Sequence, residues 1–230
     1  MSIQQNLAEI HQQIDACCQQ ADRTLNQVKL LAVSKTKSIA EIEEAIEAGQ
    51  TAFGENYVQE GVEKIQFFQQ RNISLEWHFI GPLQSNKSRL VAEHFDWVET
   101  VDRLKIAERL SRQRPTALAP LNVLIQVNIS DEPSKSGIRP NELLPLAQQI
   151  GELPNLTLRG LMAIPQASTN ELVQQHAFEQ MQQLFQQLQQ ALPQRQIDTL
   201  SLGMSGDMAT AIKCGSTQVR IGTAIFGARN

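Results

Sequence analysis

The stretch Leu30-Leu31-Ala32-Val33-Ser34-Lys35-Thr36-Lys37 puts an ammonium at the end of an apolar run the length of a buried strand. A lysine at the mouth of a barrel or cleft has its pKa lowered by desolvation, and the neutral amine can then form a Schiff base with an aldehyde. The competing reading is an ordinary strand end, where lysine marks the return of the chain to solvent. Lys37, and Lys135 in the polar loop 130–137, are alternative amines, but each stands in a more polar context that keeps it protonated. Two further stretches could hold an anion. Gly203-Met204-Ser205-Gly206-Asp207 opens a helical pattern with small residues, so that backbone N–H groups and the Ser205 hydroxyl can face a phosphate at the positive end of the helix dipole. Arg220-Ile221-Gly222-Thr223-Ala224-Ile225-Phe226-Gly227 again offers a glycine and a hydroxyl where backbone can approach a ligand closely. Either stretch alone also fits a plain tight turn.

These residues matter only if the fold gathers them. Apolar strand-like runs fall near 28–34, 51–54, 75–81, 96–101, 121–129, 156–164, 199–204 and 217–221. Helical patterns lie between them, near 38–48, 57–70, 86–94, 102–112, 140–151, 170–191 and 206–213, with start and stop signals such as Ser38 followed by Glu41, Gly49, and Pro140-Asn141. Val123-Leu124-Ile125-Gln126-Val127 is apolar on both faces, as a parallel strand covered on each side requires. The Gln-rich stretch 174–196 keeps Phe178, Met181, Leu184, Phe185, Leu188 and Leu192 at helical spacing, so it reads as a helix. The predicted fold class is α/β, a (β/α)8 TIM barrel over 28–227 with an additional N-terminal helix over 1–21, in a single domain 1–230. A doubly wound open sheet is the alternative, but no glycine-rich dinucleotide turn follows the first strand.

In such a barrel the chemistry sits at the carboxyl ends of the strands, and a phosphate is often held after strands 7 and 8. Both candidate anion loops fall there. A lysine ending strand 1 and a phosphate cradle across the same rim call for a ligand with an aldehyde at one end and a phosphate at the other. Pyridoxal 5'-phosphate (PLP) is such a ligand. Arg220, at the end of strand 8, is placed to meet its ring nitrogen. A permanently charged guanidinium donates to that nitrogen and leaves it unprotonated, so the ring is a weaker electron sink than it would be opposite an aspartate. An ion pair across the rim is the other reading of Arg220.

Composition narrows the partners. A net charge of −4 with no basic stripe argues against nucleic acid. The three cysteines include the neighbours Cys17 and Cys18, with no partner at metal-ligand spacing, so neither a disulfide framework nor a metal site is expected. The first 21 residues are polar and Gln-rich, with Ile3, Leu7, Ile10 and Ile14 at helical intervals. They read as neither a signal peptide nor a membrane span. The expected setting is the cytoplasm and, for want of an apolar surface stripe, a monomer.

Several stretches together resemble one family. They are Ala32-Val33-Ser34-Lys35, Phe53-Gly54-Glu55-Asn56-Tyr57, Trp77-His78-Phe79-Ile80-Gly81-Pro82-Leu83-Gln84-Ser85-Asn86-Lys87, Gly160-Leu161-Met162-Ala163-Ile164, Leu202-Gly203-Met204-Ser205 and Val219-Arg220-Ile221-Gly222-Thr223. Over nearly the whole chain they are similar to the pyridoxal phosphate homeostasis proteins of the YggS/PROSC type. The resemblance implies a barrel like the N-terminal domain of alanine racemase. It implies PLP held as an internal aldimine on Lys35, phosphate on Ser205, Gly222 and Thr223, Arg220 at the ring nitrogen, and Asn56, His78 and Met162 lining the pocket. It also implies a carrier or buffer of the cofactor with little or no catalysis, with apo PLP-dependent enzymes as possible acceptors.

From the residues alone, His78 is either a cofactor contact or a satisfied core histidine. Asn56 is either a ligand amide or a turn residue, and Met162 reads as barrel lining. Asn86 and Lys87 fit a cap and a solvated charge equally well. The alternative function is a PLP-dependent amino-acid racemase, which needs a second acid/base group on the opposite face of the substrate carbon. Only about ten residues follow strand 8, and the sole tyrosine, Tyr57, begins a helix after strand 2, so the carrier is the expected function. A cofactor-free Schiff-base aldolase fits the barrel but leaves Arg220 unexplained.

Overall fold

The structure, a computed structural model, describes residues 2–24, 26–133 and 136–228. Eight parallel strands close into a barrel in chain order: β1 Lys29–Val33, β2 Ala52–Glu55, β3 Glu76–Phe79, β4 Trp97–Val101, β5 Leu121–Gln126, β6 Leu156–Met162, β7 Thr199–Ser201 and β8 Gln218–Ile221. After α1 (Ile3–Gln20), a helix follows each strand in turn: α2 Ile39–Glu47, α3 Val58–Gln70, α4 Ser88–His94, α5 Leu104–Gln113, α6 Leu143–Gly151, α7 Glu171–Ala191, α8 Met208–Lys213 and α9 Thr223–Phe226. Each predicted run holds its strand or helix. The short α9 was not expected. Several apolar runs overshoot their strands, as at 199–204, where β7 ends at Ser201, and at 121–129, where β5 ends at Gln126 and Val127 forms an isolated bridge to Ile138.

Local signals explain the boundaries. Ser2 and Gln5 exchange side-chain and backbone hydrogen bonds at the start of α1, and Ser38 and Glu41 do the same at the start of α2. The buried stripe Ile3, Leu7, Ile10, Ile14 and Cys18 lays α1 against α8 and α9. Asn6 Nδ2 also donates to the Ile225 carbonyl at 2.8 Å. The leading helix therefore braces the segments that follow β7 and β8.

The main apolar core lies between the sheet and the helices. Among the described residues two small apolar groups stand apart from it, Leu31, Ala52 and Ile80 with Val33, and Trp97 with Leu124 and Met162. Branched aliphatic residues usually fill the barrel interior. Here much of it is given to His78, Glu99, Ser201, Gln218 and Arg220, all buried. Among the described residues no helix is long and apolar enough to cross a membrane, and no group of three or more His, Cys, Asp or Glu could hold a metal ion.

Candidate cofactor site

Lys35 is half-buried in a turn two residues beyond the end of β1. Three groups from β2 and α3 hold that turn. Lys64 Nζ donates to the Ser34 carbonyl at 2.7 Å, to Glu55 Oε1 at 2.7 Å and to Glu60 Oε1 at 2.6 Å. The Ser34 hydroxyl donates to Glu55 Oε1 at 2.6 Å, and the Thr36 N–H donates to Glu60 Oε1 at 2.6 Å. Thr36 takes a left-handed φ of 64°, a conformation unfavourable for a β-branched residue that these bonds enforce. Burial pushes the Glu55 carboxyl up, with the Lys64 ammonium opposing it. Of the two alternative amines, Lys37 Nζ donates to the Phe226 and Ala228 carbonyls and pairs with Glu41. Lys135 lies outside the described residues.

β1 pairs with β8 as well as with β2, with Leu31 opposite Arg220 and Ala32 opposite Ile221. Gly222 and Thr223 therefore follow directly beside the end of β1. A Cβ on Gly222 would lie 3.3 Å from both the Cβ and the carbonyl oxygen of Val33, a tight contact that a few tenths of an ångström of movement would relieve. The Arg220 N–H donates to the Gly203 carbonyl at 2.9 Å, which ties the β8 strand to the loop carrying Ser205. Gly203 sits at φ +100°, and a Cβ there would meet Ala211 Cβ at 2.8 Å. Ser205, Gly206 and Thr223 are all exposed at this rim. One expectation needs correction: α8 has six residues and α9 four, too short for a developed macrodipole. An anion held here would meet hydroxyls and backbone N–H groups and no long-helix dipole.

Arg220 is buried beneath these loops. Its Nη1 donates to the Ser201 carbonyl at 2.8 Å and to Ser201 Oγ at 2.7 Å, and its Nη2 donates to the Ala163 carbonyl at 2.9 Å. A guanidinium has five N–H donors, so two remain for a ligand. Burial pulls its pKa down, and Glu99 and Asp207 oppose that shift. Among the described residues Arg220 makes no direct ion pair of the kind weighed from the sequence, and its hydrogen bonds run to backbone and a serine.

Asn56 follows β2, and its Oδ1 is buried without a hydrogen-bond partner. It lines a cavity of about 300 Å3 at the barrel mouth with Ile80, Pro82, Thr100, Gln126, Ser136 and Ile164. An unpaired amide oxygen on a residue that lines a cavity is compatible with a ligand there. Met162 is fully buried against Trp97 and Leu124, as barrel lining and not as an open pocket wall. His78 departs most from expectation. Its Nδ1 lies 2.6 Å from Glu99 Oε1 and its Nε2 lies 2.6 Å from Glu76 Oε1, with the ring stacked on Trp97 at 4.9 Å. Both nitrogens are taken by carboxylates inside the barrel, so neither is left for a cofactor. Burial alone would lower the His78 pKa, but the bonds to Glu76 and Glu99 outweigh it and raise it.

Sequence reasoning missed Lys64, Glu55 and Glu99. The only available signal was the placement of Glu55 and Glu99 within strand runs, where a charge is expensive to bury.

A family model for the alanine racemase N-terminal domain matches residues 6–230. The chain is 68% identical over 230 residues to the pyridoxal phosphate homeostasis protein of Pasteurella multocida, covering 100% of this chain and 99% of that one. It is 60% identical over 229 residues to the protein of the same name from Escherichia coli K12, covering 99% and 97%. Among solved structures it is similar to PipY of Synechococcus elongatus with PLP bound, at a TM-score of 0.86 and 36% identity over 98% of this chain and 100% of that one. An alanine racemase from Clostridium difficile shares the fold, at a TM-score of 0.73 and 15% identity, covering 99% of this chain and 56% of that one. On these matches, which run the length of the barrel, the chain belongs to the pyridoxal phosphate homeostasis protein family.

Proposed function

We propose that the C-terminal mouth of this barrel binds pyridoxal 5'-phosphate and that the protein carries or buffers the cofactor, with little or no turnover of its own. The observation that carries this reading is Arg220, a buried guanidinium fixed by three hydrogen bonds on the strand beside Lys35, with two N–H groups to spare. PLP supplies an aldehyde that condenses with an amine and a ring that withdraws electrons. Lys35 is the amine that attaches it. Ser205, Gly222 and Thr223 hold the phosphate, Arg220 donates to the ring nitrogen, and the Asn56 amide meets the ligand from the cavity side. Met162 and His78 support the floor from inside the barrel.

A donor opposite the ring nitrogen keeps that nitrogen unprotonated, which suits holding a cofactor better than activating a substrate carbon. Exposure of Ser205 and Thr223 supports release of the phosphate end to solvent and to apo acceptor enzymes. In this reading the carrier works as a monomer in the cytoplasm.

The test is direct. The purified chain mixed with PLP should develop a visible absorption band, and borohydride reduction followed by peptide mass analysis should place the pyridoxyl group on Lys35. A label on Lys37 or Lys135 contradicts the site. Racemisation of alanine or serine at about 1 per second or faster contradicts the carrier role.

A further inference from the structure

A row of charges of alternating sign runs through the barrel from one mouth to the other. At the amino-terminal mouth, Lys29 is paired with Glu76, and its ammonium lies over the Trp97 ring. Glu76 meets His78 Nε2, and His78 Nδ1 meets Glu99 Oε1, each at 2.6 Å. Glu99 Oε1 also accepts from Gln218 Nε2 at 2.5 Å, and Glu99 Oε2 accepts from the Ser201 hydroxyl at 2.7 Å. Ser201 Oγ accepts in turn from Arg220 Nη1 at 2.7 Å. The direction of this last link is fixed. A guanidinium only donates and an ionised carboxylate only accepts, so the serine must pass its one proton towards Glu99.

His78 and Glu99 have no exposed surface, and Ser201 has none. Charges this deep carry a large desolvation penalty, and apolar side chains of similar volume fill a barrel interior at lower cost. The row also ends on Arg220, the residue the cofactor reading places at the ring nitrogen. We propose that Glu99, acting through Ser201, is the positioning residue for Arg220, and that His78 couples this guanidinium to the Glu76 and Lys29 pair at the opposite mouth. The inference rests on PLP binding at the C-terminal mouth. Loading that mouth then perturbs an imidazole on the far side of Glu99, and changes at the amino-terminal mouth alter the electronic state of the bound ring.

The experiment uses the full chain with 15N-labelled histidine, in which His78 is one of four. Titration with PLP should shift the His78 ring resonances, whereas inorganic phosphate, which occupies only the phosphate cradle, should leave them in place. E99Q should weaken PLP binding roughly tenfold, a usual size for coupling between sites. It should also displace the absorption maximum of the bound cofactor, with inorganic phosphate binding unchanged. S201A removes the middle link at smaller risk to folding, and should displace the maximum in the same direction. His78 resonances that stay fixed at PLP saturation, or an S201A protein with the affinity and spectrum of the parent, overturn the coupling while PLP binding stands. Absence of any PLP binding overturns both.

Discussion

The ammonium of Lys64 lies 2.7 Å from the carbonyl oxygen of Ser34, the residue immediately before Lys35. A buried cation thus holds the backbone from which the candidate nucleophile hangs, and its charge is matched by Glu55 and Glu60. K64M would leave Glu55 buried and unpaired, a loss of about 3–5 kcal/mol. In a chain of this length that lowers the melting temperature by roughly 6–20 °C. Adding E55Q should recover part of the loss, because the stranded charge is gone. A thermal melt of K64M that coincides with the parent's would rule out the clamp.

The phosphate cradle can be tested apart from the amine. S205A and T223A each remove a hydroxyl from an exposed rim, so neither should change the melting temperature appreciably. Each should cost about 1.5 kcal/mol in binding a charged acceptor, or roughly tenfold in PLP affinity. Pyridoxal, which lacks the phosphate, should bind all three proteins alike in a spectral titration. Equal losses for both ligands would place the phosphate elsewhere.

Stability should depend on pH through the Glu76 and His78 pair. Burial would raise the Glu76 carboxyl, but His78 and Lys29 hold it down to about 2. It therefore stabilises the fold above its ordinary value near 4.5, and that contribution fades as the pH falls towards 2. His78 is raised above 6.5, so its contribution is complete below that value and is lost as the pH climbs through the raised pKa. E76Q should flatten the acid limb and start the alkaline loss at lower pH in melts across the range. The acid effect should be modest, because the Glu76 side chain is 38% exposed and solvent screens it. Superimposable profiles for parent and variant would argue against the pairing.

Two glycines at the mouth should respond differently to alanine. A Cβ on Gly81 would stand 2.1 Å from the Asn56 carbonyl oxygen, so G81A must push β2 and β3 apart at their ends and destabilise by about 3 kcal/mol. At Gly222 the nearest atoms are 3.3 Å away, and a shift of a few tenths of an ångström accommodates the methyl. G222A should therefore melt near the parent while binding PLP severalfold more weakly. The reverse ranking in calorimetry would contradict the close packing at Gly81.

The barrel was legible because strand runs such as those of β1, β5 and β6 read as apolar on both faces and the helices keep their stripes. Val123-Leu124-Ile125 and the Phe178 to Leu192 spacing each point to one element type. Lys35, Ser205, Gly222, Thr223 and Arg220 were legible as strand-end residues of chemically suggestive type. The interior charges were not. Glu99 stands in Trp97-Val98-Glu99-Thr100-Val101, where period-two alternation reads a polar residue as solvent-facing, and a register irregularity between Val98 and Val101 further blurs the pattern. Lys64 lies on a helix with a polar face, where a lysine is normally solvated. Its burial follows from docking against β2, a tertiary fact that no local spacing encodes. Lys29, at the first position of β1, likewise gave no sign of its pairing with Glu76.

The pairing of β1 with β8 has a consequence for biogenesis. Lys35 follows the first strand and Arg220 lies on the last, and their two segments meet only when Leu31 comes opposite Arg220 and the ring of strands is sealed. A growing polypeptide on the ribosome holds the proposed attachment lysine long before it holds the guanidinium, so on the proposed reading vitamin loading must wait for the final staves of the cask. Occupancy of the proposed site would then certify that assembly is complete.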